Sequence, residues 1–162
     1  MGKKMIYFAY GSNLNLRQMK QRCPDARPIG VAKLPGHRLV FRGVADVIPN
    51  RQGGSVMGVI WEITPRCLKE LDRYEGYPHL YGRRYCTVIG EDDGILREAI
   101  VYYMKKGDLA PPSRGYWKVI MEGYNDFCMV PRRDLLEPNY GYGNARLDYD
   151  CEKYYQSILH WY

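Results

Sequence analysis

The chain has 162 residues, 46% of them apolar, with 16 Tyr against 3 Phe and a formal net charge of +6. That length and apolar share fit one ordinary domain with a sizeable core, and they exclude a disordered chain. The basic residues are spread from Lys3 to Lys153 with no run of five like charges, so there is no nucleic-acid tail, and no apolar stretch approaches the ~20 residues needed to span a bilayer.

Ile6-Tyr7-Phe8-Ala9 is an apolar run of β-formers and predicts a buried strand, ending at Gly11-Ser12-Asn13. Asn15 followed by Gln18 has capping-box spacing, which predicts a short helix from Leu16 to Arg22, stopped by Pro24. A strand is expected from Leu34 to Val44 with a Pro-Gly irregularity near its start. A turn at Gln52-Gly53-Gly54 and a strong strand from Val56 to Ile63 follow. Thr64-Pro65 suits an N-cap and first helical residue; that helix is expected to reach about Glu75, with Gly76 as its cap and Pro78 preventing continuation. Strands from Arg84 to Ile89 and from Ile95 to Met104 flank the turn Glu91-Asp92-Asp93-Gly94, and Ser113 can cap a helix from Arg114 to Phe127. Further on, Pro138 to Asn144 is Gly/Tyr-rich and irregular, and Leu147 to Leu159 predicts a C-terminal helix. No repeat or linker divides the chain, so it reads as a single domain over 1–162, with residues after about 133 an extension packed on it. Interleaved strands and helices with an antiparallel hairpin make the class α+β, with a sheet able to close into a barrel.

Two features could carry chemistry. Leu68, Leu71 and Glu75 fall at i, i+3 and i+7 of one helix and share the face that the leucines mark as buried. Desolvation there raises a carboxyl pKa toward the range of a general base, whereas at a fraying helix end the same residue is merely solvated. The second feature is Tyr10-Gly11-Ser12-Asn13-Leu14. A strand turning into a helix through Gly-Ser-Asn leaves backbone N–H groups free for a carboxylate or an oxyanion, although it also reads as an ordinary capped connection. Tyr116, Ile120, Gly123 and Phe127 share a helix face as core or pocket lining. Tyr81 either closes a pocket or packs on the sheet, and Asp72 reads as a surface helix residue.

Tyr10-Gly11-Ser12-Asn13-Leu14 after an N-terminal strand resembles the signature loop of the γ-glutamylcyclotransferase superfamily, in the branch of γ-glutamylcyclotransferases, γ-glutamylamine cyclotransferases and AIG2-like proteins. Val56-Met57-Gly58-Val59-Ile60-Trp61-Glu62-Ile63-Thr64-Pro65 with Leu71-Asp72-Arg73-Tyr74-Glu75-Gly76 resembles its second block, Tyr81-Gly82-Arg83-Arg84 a third, and Pro112-Ser113-x-x-Tyr116 with Ile120 and Gly123 a fourth. The resemblance runs from Ile6 to about Gly123. It implies a small mixed, mainly antiparallel sheet curled into a barrel with flanking helices and a pocket at its mouth. It further implies a reaction in which the α-amine of a γ-glutamyl amide attacks its own γ-carbonyl, releasing 5-oxoproline and a free amine. Glu75 falls on the catalytic position, and Tyr10, Gly11, Ser12, Asn13, Leu14, Tyr81 and Tyr116 on the substrate side. The glutathione-specific branch of similar enzymes carries a different loop, so Asn13 points away from strict glutathione specificity. γ-Glutamyl amino acids, γ-glutamyl-lysine and γ-glutamyl derivatives of biosynthetic amines stay open.

Ser12 is not in a G-x-S-x-G elbow and is not a candidate nucleophile. Cys23, Cys67, Cys86, Cys128 and Cys151 are odd in number, without C-x-x-C spacing or an evident His partner, and read as structural thiols of a reduced, cytoplasmic protein. His37, His79 and His160 lack metal-ligand spacing. The expectation is therefore a metal- and cofactor-free enzyme, monomeric or a small homo-oligomer, with a small-molecule partner and neither nucleic acid nor membrane. Two other classes are weighed: a binding module that keeps the cradle without the reaction, and a basic nucleic-acid binder stacking bases on Tyr85, Tyr102 and Tyr103. No RNP-type motif supports the latter.

Overall fold

Strand β1 (Met5–Ala9) is buried on both faces at its C-terminal end, with Phe8 and Ala9 fully inaccessible within the core cluster, and it has neighbours on both edges. One neighbour is β5 (Ser55–Ile63), antiparallel with Phe8 opposite Ile60; the other is β7 (Leu96–Met104), parallel through Tyr7 and Ile100. That parallel contact closes a five-stranded barrel in the order β1-β5-β2-β6-β7, in which β2 is Arg27–Pro35 and β6 is Tyr81–Gly90; every other pairing is antiparallel. The mixed, mainly antiparallel barrel with flanking helices is the expected class. The computed structural model describes residues 2–129. The irregular stretch expected at Pro138 to Asn144, the helix expected at Leu147 to Leu159, and the extension after about residue 133 lie outside the described residues.

Three helices flank the barrel. Helix α1 (Leu16–Arg22) is capped by Asn15, whose Oδ1 accepts the Gln18 N–H at 3.1 Å. Helix α2 (Pro65–Glu75) starts with the Thr64 hydroxyl accepting the Cys67 N–H at 3.2 Å and ends at Gly76 in the left-handed region, φ 64°. Helix α3 (Arg114–Asp126) is capped by Ser113.

The strand expected from Leu34 to Val44 is two strands. Gly36, at φ 67°, turns the chain out of the barrel after Pro35, and β3 (His37–Phe41) pairs instead with β4 (Ala45–Pro49) in a separate two-stranded sheet. The Pro-Gly irregularity is therefore a kink between two strands, and antiparallel pairing continues past it, from Pro35 opposite Ser55 to His37 opposite Pro49. The barrel strand β2 also begins well upstream, at Arg27, where its first three residues are exposed and give no alternating pattern.

The core joins Phe8, Leu34, Ile60, Leu71, Ile120 and Tyr124 into one cluster. One tight contact lies between α3 and the turn after β1. A Cβ on Gly123 would sit 2.7 Å from the Leu14 Cβ and 2.8 Å from the Asn15 backbone nitrogen. Around that contact the Asn15 Nδ2 donates to the Val119 carbonyl at 3.1 Å, and the Leu16 N–H donates to Asp126 Oδ2 at 2.9 Å. Gly115, in the first turn of the same helix, has open space where a Cβ would be. Gly115→Ala is therefore expected to raise stability by up to about 1 kcal/mol through helix propensity. Gly123→Ala should lower it by about 1–3 kcal/mol, because the opposing atoms include backbone. Thermal or urea melts of the two variants test this, the signs being opposite for one and the same substitution.

Candidate active site

Beyond Ala9 the chain makes a tight 3₁₀ turn, Ser12–Leu14, before α1. The Leu14 N–H closes on the Gly11 carbonyl at 3.0 Å and the Asn15 N–H on the Ser12 carbonyl at 3.2 Å. Of the cradle's N–H groups, that of Leu14 is thus occupied within the turn. The Leu14 side chain is fully buried in the core under α3 and does not line the cavity, so its expected place in the substrate cradle is corrected.

The rest of the predicted set comes together. A cavity of about 210 Å³ at the barrel mouth is lined by Tyr10, Gly11, Ser12, Asn13, Glu75, Tyr81 and Tyr116. Tyr7, Tyr74, Tyr102, Val44, Ala45 and Leu80 complete it. Those six were missed. Their one signal was the excess of Tyr over Phe: six Tyr line this cavity, and a phenol suits a surface that is half apolar and half wet.

Glu75 is the last residue of α2 and continues the buried stripe of Leu71. Its carboxyl accepts the Asn13 Nδ2–H at 3.2 Å; the same amide nitrogen donates to the Tyr7 hydroxyl at 2.9 Å. Burial pushes the Glu75 carboxyl up from its ordinary value to about 7, against the opposing pull of the Arg22 guanidinium. Ser12 Oγ lies 3.1 Å from the Tyr74 hydroxyl, and no His lines the cavity to activate it as a nucleophile.

Most of the phenols are spoken for. The Tyr10 hydroxyl donates to the Tyr102 carbonyl at 2.6 Å, Tyr81 to the Ala45 carbonyl at 2.8 Å, and Tyr102 to Asp72 Oδ1 at 2.6 Å. Tyr116 differs: burial raises its pKa to about 12, and its oxygen accepts the backbone N–H of Ala45 at 3.1 Å. With the oxygen accepting from that N–H, its proton can turn to donate into the cavity it lines. Gly11 makes this approach possible, since a Cβ there would lie 2.9 Å from the Tyr116 hydroxyl. Tyr81 both packs on the barrel and lines the cavity.

Asp46 and Asp72 support the walls. Asp46, 1% exposed, accepts from the Val47 and Met104 N–H groups at 2.8 Å each and pairs with Arg42 Nε at 2.9 Å, holding β4 and its Ala45 over the mouth. Asp72 is half-buried on its helix and takes both the Arg83 guanidinium and the Tyr102 hydroxyl. The tyrosines considered for base stacking do not form one face. Tyr102 turns inward, its neighbour Tyr103 lies under Arg84, and Tyr85 is exposed. Among the described residues no group of three or more His, Cys, Asp or Glu is gathered as a metal site requires, and no helix is long and apolar enough to cross a membrane.

The small closed barrel thus carries one elevated carboxyl facing a Gly-Ser-Asn turn across its cavity. Residues 7–119 match the family described as "Gamma-glutamyl cyclotransferase, AIG2-like". The bovine (Bos taurus) γ-glutamylcyclotransferase is 30% identical over 154 residues, covering 85% of this chain and 81% of that protein; the human (Homo sapiens) one is 29% identical, covering 75% and 70%. A solved structure of a γ-glutamyl cyclotransferase superposes with a TM-score of 0.74 at 26% identity, covering 93% of this chain and 99% of that one. The chain belongs to the γ-glutamylcyclotransferase, AIG2-like family.

The raised carboxyl has a consequence for stability. Between the ordinary carboxyl pKa of 4.5 and the folded value of about 7, the native state binds more protons than the unfolded one, so stability falls as pH rises through that window. Glu75→Gln, which has no charge to desolvate, is expected to be more stable than the wild type at pH 8, with the difference shrinking toward pH 5. Urea midpoints of both proteins at the two pH values check this.

Proposed function

We propose that this protein cleaves a γ-glutamyl amide by intramolecular attack, releasing 5-oxoproline and a free amine, with Glu75 as the acid/base. The observation that carries the reading is the Glu75 carboxyl, at a pKa of about 7, facing the Gly11–Asn13 turn across one small cavity.

The α-amine of the substrate arrives as an ammonium and must lose a proton before its lone pair can attack. A carboxylate of pKa near 7 takes that proton far better than one at its ordinary value. Nitrogen then bonds to the γ-carbonyl carbon, closing the five-membered ring, and charge collects on the carbonyl oxygen. The Tyr116 hydroxyl, together with the N–H groups of the turn, can donate to that oxygen. As the old C–N bond breaks, Glu75 gives its proton to the leaving nitrogen and takes the second proton from the ring nitrogen; passed on in turn, the two protons lost by the α-ammonium end on the released amine, which departs as an ammonium, and the carboxylate is regenerated. Both reacting groups belong to one molecule, so the cavity's main task is to hold the ring-closing pose. No group in this scheme is a metal or a covalent nucleophile.

The substrate is read as a γ-glutamyl amine or γ-glutamyl amino acid, so the leaving half is a free amine or amino acid. The free thiols of Cys23, Cys67, Cys86 and Cys128 fit a reducing, cytoplasmic setting.

Purified protein incubated with a panel of γ-glutamyl amines and amino acids is expected to release 5-oxoproline, with activity lost as pH falls through about 7. Glu75→Gln should slow release by a factor of about 10² or more, and Tyr116→Phe by about 10² through kcat. Binding of a panel member without turnover would instead make the chain a binding module on this scaffold. An undiminished Glu75→Gln variant would remove Glu75 from the chemistry.

A further inference from the structure

Arg22 lines no part of the cavity, yet the site is assembled around it. It is the last residue of α1, and its Nη1 donates to Asn13 Oδ1 and lies 3.5 Å from Ser12 Oγ. Its Nη2 donates to Gln18 Oε1 at 2.6 Å, and its guanidinium carbon sits 3.6 Å from the centre of the Tyr74 ring. Tyr74 immediately precedes Glu75 and bonds Ser12 through its own hydroxyl. One guanidinium therefore grips both halves of the site: the turn through Ser12 and Asn13, and the end of α2 through the face of Tyr74.

The Asn13 amide gives this grip chemical meaning. It is 2% exposed, its nitrogen serves Glu75 and Tyr7, and its oxygen serves Arg22. A flipped amide would turn its oxygen toward the Glu75 carboxylate and its N–H toward a cation. The Arg22 bond forbids that arrangement.

We infer that Arg22 is a positioning residue for the cyclisation, fixing the Asn13 amide and the end of α2 so that the Glu75 carboxyl stands at the reacting amine. This rests on the reading of Glu75 as acid/base. The groups around Glu75 are otherwise phenols, those of Tyr7, Tyr10, Tyr81 and Tyr116 with Tyr74 beside it, and Asp72 one turn back is held by Arg83. Arg22 is the charge that opposes the effect of burial on Glu75.

Two substitutions separate charge from shape. Arg22→Gln removes the charge: the acid limb of the kcat/KM profile should move to higher pH and kcat fall by about tenfold or more, with KM little changed. Arg22→Lys keeps a charge but loses the flat, forked donor that stacks on Tyr74. Its acid limb should stay near that of the wild type while kcat still falls. Folded variants of both kinds with kcat within about twofold of wild type and the limb unmoved overturn the inference; should Arg22→Gln fail to fold, the kcat of Arg22→Lys decides. If the wild type turns over no γ-glutamyl compound, the activity reading has failed. Titration of the Glu75 carboxyl by carbon-13 NMR, assigned with Glu75→Gln, then decides for Arg22: the same midpoint in Arg22→Gln as in the wild type overturns it.

Discussion

The buried amide of Asn13 is where three elements meet: its nitrogen reaches Tyr7 on β1 and Glu75 on α2, and its oxygen reaches Arg22 on α1. A primary amide taken out of water is costly unless its donors and acceptor are satisfied. Here each partner comes from a different part of the chain, so the amide is satisfied only when β1, α1 and α2 are all in place. The same bonds that make the burial of Asn13 tolerable also set the distance between the turn and the carboxyl. Stability and site geometry share one set of contacts, which ties the cavity's shape to the integrity of the fold.

Chain geometry explains why Glu75 and the turn lie at the same end of the barrel. β1 and β5 run antiparallel with Met5 opposite Ile63, so β5 delivers the chain to the end of the barrel where β1 begins. Helix α2 then has to carry it back. Its 11 residues rise about 16 Å, close to the distance covered by β1 and the residue that follows it. A helix one turn shorter would end below the turn. The Thr64 cap at one end and the left-handed Gly76 at the other fix that length.

Much of this was legible because it is local. The Thr-Pro start and Gly stop of α2, the Asn15 cap, and the apolar run of β1 are each written within a few residues, and the stripe Leu68–Leu71–Glu75 aims the carboxyl inward. Tyr7, Tyr102, Asp46 and Arg22 were not legible, because their roles depend on partners far along the chain: Tyr102 is bonded to Asp72, Asp46 to the Met104 N–H. Arg22 read as an ordinary basic residue in the last turn of a helix, a place where such residues are common on dipole grounds alone. The split of the expected Leu34–Val44 strand was hidden for another reason: a left-handed glycine that bends a strand and one that hands it to a second sheet look the same without knowing which strands pair next. Leu14 was misjudged because a motif residue and its backbone can face opposite ways in a one-turn helix.

The tyrosines give the cavity its selectivity of protonation. Burial, the leading cause in each case, lifts the phenols of Tyr7, Tyr10, Tyr81, Tyr102 and Tyr116 above their ordinary value, so each keeps its proton at neutral pH. A cavity walled with Phe would desolvate Glu75 as well but would offer nothing to hold a zwitterionic substrate. A wall of Ser or Thr would hydrogen-bond but bury too little apolar surface to raise the carboxyl. Phenols do both: their rings exclude water and their hydroxyls fix backbone or face the ligand. Glu75 alone among these buried groups is brought to a pKa near neutrality. In the proposed reaction, a proton exchanged inside the cavity passes through that one defined oxygen pair, which suits a step in which protons leave one nitrogen and reach another.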